Sequence, residues 1–593
     1  MAISPVLFAF VILLGAATLW KRIRSLHREL PLPPGPRRLP IIGNALAMPA
    51  RDLPKAFQDM NKKYGEVVYL DVFGQPMIVL GTHESAVELL EKRSANYSDR
   101  MHSVMAALSG WEWALPLIPY GLFWRRNRRA FHEFFHPGIV PDYRTIQLEA
   151  ARGLLRHLLQ DPTHYTEHIR YAFGSSIMRI SYGIDVDKEK VPYLTIAEDA
   201  MQTFSDAFVP GKYLVETFPL LRLLPSWFPG TKFKREGTAW TSVVNRLRDT
   251  PWDATVAAMR EGTALPSIVT AWTERASEME DYAPADEHEV TKNTAATAYA
   301  GGSDTMLSTI LSFLLAMASY PEVQKKAQAE LDDVVGAHRL PDFEDEESLP
   351  YISAILKECV RWRVVLPLGL IHRSLEDDVY RGYFIPKGAH VVPNAWAYTR
   401  DPRHYPDPEE FIPERFLKDG KLNLAVQDPG DIIFGYGRRV CPGRHFAEAA
   451  LFAIVSSVLH TFDITGARDE HGNPVRLEVK MTEGVLSMFI EEMQPLLYVQ
   501  VNIAMRLGFP TMLWRPVDAR GKLTEGVKAA RVPDRWSSLK GADMAELETL
   551  FSRLPISVWK NGTQGGFMES CARKGSINAA SRMDSIIRTH MKF

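Results

Sequence analysis

Cysteine is scarce in this 593-residue chain, which carries three: Cys359, Cys441 and Cys571. A disulfide framework needs more, so the bulk of the chain belongs in a reducing compartment. Charge of one sign is not in excess either. The 69 Lys and Arg against 71 Asp and Glu leave a net charge of -2, which argues against nucleic acid as a partner. No CxxC pattern and no internal repeat occur, and no flavin or nicotinamide signature is found. A redox reaction here would draw its electrons from another protein. What the chain does have is apolar residues, 46% against 24% charged, enough to bury a large core.

One of the three cysteines sits in an unusual setting. Phe434 to Glu448 reads FGYGRRVCPGRHFAE, with Cys441 between a glycine-rich turn and a helix start. Gly435 and Gly437 allow a tight backbone before the thiol, and Gly443 lets a flat ligand lie close. The N–H groups of the helix start, with Arg438 and Arg439, would favour the thiolate, a good ligand for a soft or borderline metal. The competing reading is a buried structural cysteine.

A second cluster lies in a long apolar helix expected from about Val290 to Ala318. Adjacent glycines at Gly301 and Gly302 each cost about 1 kcal/mol relative to alanine, so something flat or bulky is expected against them. Asp304 and Thr305 follow. Elsewhere, Glu358 and Arg361 share a face of a predicted helix, and Trp124 to Arg129 (WRRNRR) opens a basic helix. Helices are also expected over Leu53 to Tyr64, Thr82 to Arg93 and His445 to Phe462, with a hairpin over Val67 to Leu80 turning at Gly74 and Gln75. Glu274 to Glu289 reads as an acidic connecting loop.

Ile3 to Trp20 is uncharged and followed by Lys21, Arg22 and Arg24. It reads as an uncleaved membrane anchor with a cytosolic basic flank, rather than a cleaved signal peptide. Pro31 to Pro36 is a stiff spacer. Phe204 to Lys234 is apolar and proline-broken. It reads either as core or, by its basic end, as a substrate-access lid at a membrane.

The cysteine loop matches the haem-binding loop of the cytochrome P450 family at Phe434, Gly435, Gly437, Arg439, Cys441 and Gly443, and with the three motifs before it stands in the family's order. The chain therefore resembles a cytochrome P450 and is similar to fungal microsomal members, many of which oxidise secondary metabolites. The resemblance implies a mainly helical domain with a smaller sheet portion over residues 41–487. Before it come an anchor over 1–20 and a basic, proline-rich linker over 21–40. Residues 488–593 form an atypical extension, either genuine or an error in the gene model.

It further implies haem b with Cys441 as axial thiolate and Phe434 against the porphyrin. Trp124, Arg128, His372 and Arg439 would serve the propionates, with Arg373 a substitute for His372. Asp304 and Thr305 would deliver protons, although Met306 stands where relatives carry a small hydroxylic residue. Glu358, Arg361 and Arg415 would form a buried structural network. Val364 to Leu370 would line the pocket as a strand, Met101 to Phe123 would roof it, and Arg125, Arg126 and Arg129 would meet an acidic redox partner.

The expected partners are an NADPH-cytochrome P450 reductase, a lipophilic small molecule and the endoplasmic reticulum membrane. The function implied is a monooxygenase that inserts one oxygen of O2 into a terpenoid, polyketide or aromatic compound. Two alternatives stay open at this stage. One is a reductase-independent haem-thiolate isomerase or dehydratase; the other is an inactive haem binder disabled by its C-terminus.

Overall fold

The computed structural model describes residues 30–49, 51–188, 191–209, 211–278, 287–466 and 504–505. The expected anchor over 1–20, the first part of the linker, and the extension but for Ala504–Met505 lie outside the described residues. So do Gly484 to Leu486 and Cys571.

Apolar residues recurring every three or four positions give the longer helices. These are α1 (Leu53–Tyr64), α2 (Leu122–Phe135), α3 (Arg144–Gln160), α4 (Tyr165–Tyr182), α5 (Tyr193–Ala207) and α6 (Lys232–Glu261). Then come α7 (Ile268–Glu278), α8 (Glu287–Gly302), α9 (Asp304–Ser319), α10 (Pro321–Val334), α11 (Pro350–Trp362) and α12 (Arg444–Thr461). Both ends of the expected acidic loop are helical instead, since one helix continues to Glu278 and the next begins at Glu287. Acidic residues suit that start, since Glu287 and Glu289 occupy the first turn of α8, where the helix dipole favours negative charge.

A smaller, sheet-built side contains β1 (Val67–Val72), β2 (Gln75–Leu80), β3 (Asp99–Arg100), β4 (His372–Arg373) and β5 (His390–Pro393), in the order β1-β2-β5-β4-β3. The first two form the expected hairpin, but its two-residue turn is Phe73 and Gly74, both at positive φ, rather than Gly74 and Gln75, because Gln75 already pairs with Val72. Strand β3 pairs antiparallel with β4, setting Arg100 opposite His372. The main hydrophobic core joins α2 to α12, and a second core lies under the sheet.

Helices α8 and α9 are one rod from Glu287 to Ser319, interrupted at Ser303. Among the described residues it is the one helix long and apolar enough to cross a membrane, but 78% of its most apolar window is buried within the protein. It is the core helix around which the others pack.

Alongside it, α11 buries a charged network. Arg361 donates from Nε and Nη2 to the two carboxylate oxygens of Glu358 at 2.7 and 2.8 Å. Arg415 reaches the same carboxylate at 3.2 Å, and the Ile412 N–H donates to it at 2.8 Å. Glu358 and Arg361 are fully buried, so the three residues expected to form this network do so.

Candidate functional site

The cysteine loop is shaped by its own backbone. The Cys441 N–H donates to the Phe434 carbonyl at 2.6 Å, closing a turn that Gly435 and Gly437 enter at φ 81° and 53°. A Cβ on Gly437 would also stand 2.5 Å from the Leu90 carbonyl oxygen. Glycine is required there on both counts.

The Cys441 side chain is accessible, yet burial pushes its thiol up, against the pull of the Gly443 N–H and Arg128. A group both accessible and deep opens into an internal cleft. The cations that act on the thiol are therefore Arg128 and Arg444, and not the expected Arg438 or Arg439. Arg438 is turned to the Tyr120 hydroxyl, and Arg439 is committed to the carbonyls of Ser98, Leu115 and Ile118. Adjacency in sequence put those arginines near the thiol; the turn at Gly437 points them away.

The glycine break shows the same signature. Val290 to Ala300 is largely buried, but Gly301 is exposed and an added Cβ there would meet nothing within 4 Å. The same is true of Gly443. Leu115 of the roof ties the two regions together. Its N–H donates to Thr297 Oγ1 at 3.3 Å, one turn before Gly301, and its carbonyl accepts from Arg439 Nη1 at 3.3 Å, two residues before Cys441.

At Ser303 the helix breaks, and the Thr305 hydroxyl donates to the Gly301 carbonyl at 2.9 Å. Asp304 points the other way, is 6% exposed, and has its carboxyl raised by burial, partly offset by Arg170. Arg170 Nε lies 4.0 Å from Asp304 and 3.5 Å from Glu198 with no hydrogen-bond partner of its own. Met306 is buried.

Around the cleft stands an accumulation of positive charge. Arg100 and Arg439 are buried, and Arg100 is near enough to depress Arg439. Burial takes Arg439 down to about 8, with Arg100 and Arg128 contributing, and takes Arg100 to about 10. Arg439 also stacks over the buried Trp124 ring at 4.5 Å. Arg128, on α2, donates to the Val440 carbonyl at 2.7 Å. His372 is held well below its usual range by burial and by Arg100, and its Nδ1 meets the Tyr97 carbonyl at 2.7 Å. Arg373 pairs instead with Asp99 at 3.0 Å, so it is taken.

Buried cations this short of counter-charge suit a ligand with anionic groups. A thiol open to a cleft and glycine faces with no neighbours suit a flat one that bears a metal. The residues present fit haem: Cys441 would hold the iron, Gly301 and Gly443 would leave room for a flat ring, and the Arg100, Arg128, Arg439, His372 and Trp124 cluster would meet its carboxylates. Phe434 is half-buried under Arg444.

Two further expectations need correction. Residues 364–370 form turns rather than a strand: the Gly369 N–H donates to the Leu366 carbonyl at 3.0 Å, and Gly369 is left-handed at φ 55°. Pro367 has no N–H to give a ladder, so the strand begins at His372. Arg126 is also withdrawn from the basic patch by its bond to Glu287 at 2.7 Å, whereas Arg125 and Arg129 are exposed. Arg100, Arg170 and Glu198 were not legible in the sequence, because strand pairing and helix packing bring them in from afar.

A family model described as Cytochrome P450 matches residues 33–483. The curated relatives include cytochrome P450 monooxygenase COX2 of Coprinopsis cinerea, 41% identical over 453 residues, covering 76% of this chain and 86% of the relative. Tryptamine 4-monooxygenase of Psilocybe cyanescens is 38% identical over 464 residues, covering 77% and 91%. Cytochrome P450 monooxygenase claR of Ampulloclitocybe clavipes is 39% identical over 479 residues, covering 80% and 88%.

Proposed function

Since the chain belongs to the cytochrome P450 family and is a monooxygenase, we propose that it oxidises a lipophilic small molecule of fungal secondary metabolism, with electrons from a separate NADPH-dependent reductase. The observation that carries this reading is the pairing of an accessible thiol at Cys441 with an open glycine face at Gly301, bridged through Leu115. When bound, haem supplies the iron at which dioxygen is activated. The chain's own residues do the rest.

Arg100, Arg128, Arg439, His372 and Trp124 would hold the haem carboxylates, and Phe434 and Gly443 would lie on its cysteine side. Thr305 spends its proton on the Gly301 carbonyl, which leaves its oxygen free to accept a hydrogen bond at the cleft. Asp304 holds a proton more firmly than an exposed aspartate would. Arg170, between Asp304 and the half-exposed Glu198, positions it toward solvent.

Replacing Asp304 with Asn is expected to lower turnover about 10²-fold, the ordinary contribution of one positioned proton donor. Because burial raises this carboxyl, wild-type turnover should fall as pH rises through its folded pKa, and the variant should lose that limb of the profile. The same shift makes the folded chain bind this proton more tightly than the unfolded one. Its contribution to stability is then present at low pH and declines as pH rises from the unfolded pKa to the folded one. Comparing the pH profiles of turnover and of the urea midpoint checks both.

Arg125 and Arg129 face outward on α2 and suit an acidic redox protein. Reversing both to Glu should slow the reductase-dependent reduction about tenfold at low ionic strength, with the difference shrinking as salt is added. Stopped-flow reduction across a salt series measures it.

The Phe204 to Lys234 segment is exposed rather than core over its proline-broken half. Leu220, Leu223 and Trp227 are 77%, 73% and 79% exposed, and Phe218 meets Phe73 of the β1-β2 turn at 4.8 Å. With Lys232 and Arg235 exposed beside it, this apolar face suits a headgroup boundary. It supports attachment at the endoplasmic reticulum membrane and access for a terpenoid, polyketide or aromatic substrate.

Product formation tests the whole reading. Hydroxylated product with matched NADPH consumption should appear only when the reductase is added. Product made without reductase would overturn it.

A further inference from the structure

Against the cysteine loop lies a helix, His83 to Lys92, to which the reaction as described gives no part. Thr82 caps it, its Oγ1 accepting from the Ser85 N–H at 3.2 Å, and His83 stands at the first helical position. From Val87 to Lys92 the turns widen into a π-helix, a local distortion frequent at functional sites. Gly437 of the loop rests on this wide segment: besides meeting the Leu90 carbonyl, an added Cβ there would lie 2.9 Å from Ser94 Cβ and 3.1 Å from Glu91 Cα.

The loop has a second point of attachment to this helix, and it is polar. Tyr436 lies between the left-handed Gly435 and Gly437 and is 2% exposed. Its hydroxyl meets His83 Nδ1 at 3.3 Å, with the two rings 5.8 Å apart. Tyr398 packs edge-on against the same imidazole at 6.1 Å, its own hydroxyl spent on the Leu80 carbonyl at 2.8 Å.

Burial pushes the Tyr436 phenol well above its usual range, so the phenol keeps its proton and donates it. The bond therefore needs a bare Nδ1, which a neutral imidazole supplies in one tautomer and a charged imidazole never does. Once His83 is protonated its Nδ1–H can only donate, and the buried phenol proton is left without an acceptor. Burial also holds His83 below its ordinary value, with His404 acting in the same direction and with Glu84 on its own helix and Asp431 of the turn Gly430–Ile433 opposing. Arg403 faces Glu84 at 3.6 Å and Arg444 holds Asp431 at 3.0 Å, so both carboxylates are shared with other cations.

We propose that His83 is a positioning residue for the reaction: through Tyr436 it holds the Cys441 loop in the geometry that keeps the thiolate on the iron, and the hold is released when the imidazole takes up a proton. The proposal rests on the haem reading of Cys441. Its pH sign follows from the burial of the ring. The unfolded chain takes up this proton first, so the contribution of the tie to stability is complete above the ordinary histidine value and is lost as pH falls from that value to the lower folded one.

The test follows the full-length, haem-loaded chain from about pH 8 to about pH 5, where histidine titrates, by the carbon monoxide difference spectrum of the reduced protein and by the urea midpoint. In the wild type the red-shifted band should give way to that of a neutral-ligand haem as pH falls. His83→Asn offers an amide oxygen that does not titrate, and should keep the red-shifted band to about one pH unit lower, the equivalent of one ordinary hydrogen bond. Tyr436→Phe has no hydroxyl to strand and should titrate as His83→Asn does. His83→Leu strands the hydroxyl at every pH and should shift the ratio of the two bands about tenfold toward the neutral-ligand form at neutral pH. Adding Tyr436→Phe to it should restore the ratio.

Should His83→Leu fail to fold, the two milder variants decide alone. Wild-type pH dependence in His83→Asn and Tyr436→Phe would overturn the proposal, as would a double variant no better than His83→Leu. A wild type without the red-shifted band at any pH overturns it together with the haem reading, whereas a normal band whose pH dependence ignores both residues removes only the role of His83.

Discussion

Cys441→Ser is expected to abolish the strongly red-shifted Soret band of the reduced, carbon monoxide-treated protein and to reduce turnover to background. The band reports a thiolate on the iron, and an alcohol at the same position does not supply one. The loop itself should persist, since the bond that closes it runs from the residue 441 N–H to the Phe434 carbonyl and the left-handed glycines are untouched. Circular dichroism and the urea midpoint should stay near the wild type. A serine variant that kept the red-shifted band would remove Cys441 from the iron altogether. The same spectrum on a chain cut after residue 487 asks whether the C-terminal extension affects loading.

Glu358→Gln should do the opposite, costing the fold rather than the ligand. Glu358 accepts from Arg361, Arg415 and the Ile412 N–H, and Arg361 also donates to the carbonyls of Thr399, Pro408 and Glu410. The amide leaves a fully buried guanidinium without its counter-charge. Breaking a buried pair in this way costs about 3–5 kcal/mol, a large share of the ~5–15 kcal/mol that holds a typical domain together. Haem-loaded yield should collapse and the remaining protein should unfold at lower urea. Arg361→Lys keeps the charge but loses the two-pronged geometry, so its urea midpoint should fall between the two. Together these variants separate loss of chemistry with the fold intact from loss of the fold itself.

Local patterns carried much of this into the sequence. The limits of α1, the hairpin of β1 and β2, the glycine turn before Cys441, and the Glu358–Arg361 pair were legible because each depends on residues within a few positions. Misreadings arose where a neighbour in sequence is not a neighbour in space. Arg438 and Arg439 were expected at the thiol, but Gly437 turns them toward Tyr120 and the roof carbonyls. Residues 364–370 were expected to be a strand, but Pro367 and the left-handed Gly369 keep them in turns.

What the sequence determined by itself was the chemistry: one thiol in a glycine-built loop, a helix weakened at Gly301 and Gly302, and an acid and an alcohol directly after the weak point. Only the tertiary structure decided which charges surround that chemistry. Arg100 comes to His372 through an antiparallel strand pair, Leu115 links Thr297 to Arg439 across the cleft, and Arg170 reaches Asp304 from another helix. Each of these contacts joins residues more than a hundred positions apart, a separation that no local spacing encodes. They form because the cores beneath the sheet and around α8 and α9 bury their apolar faces and bring the charged residues along.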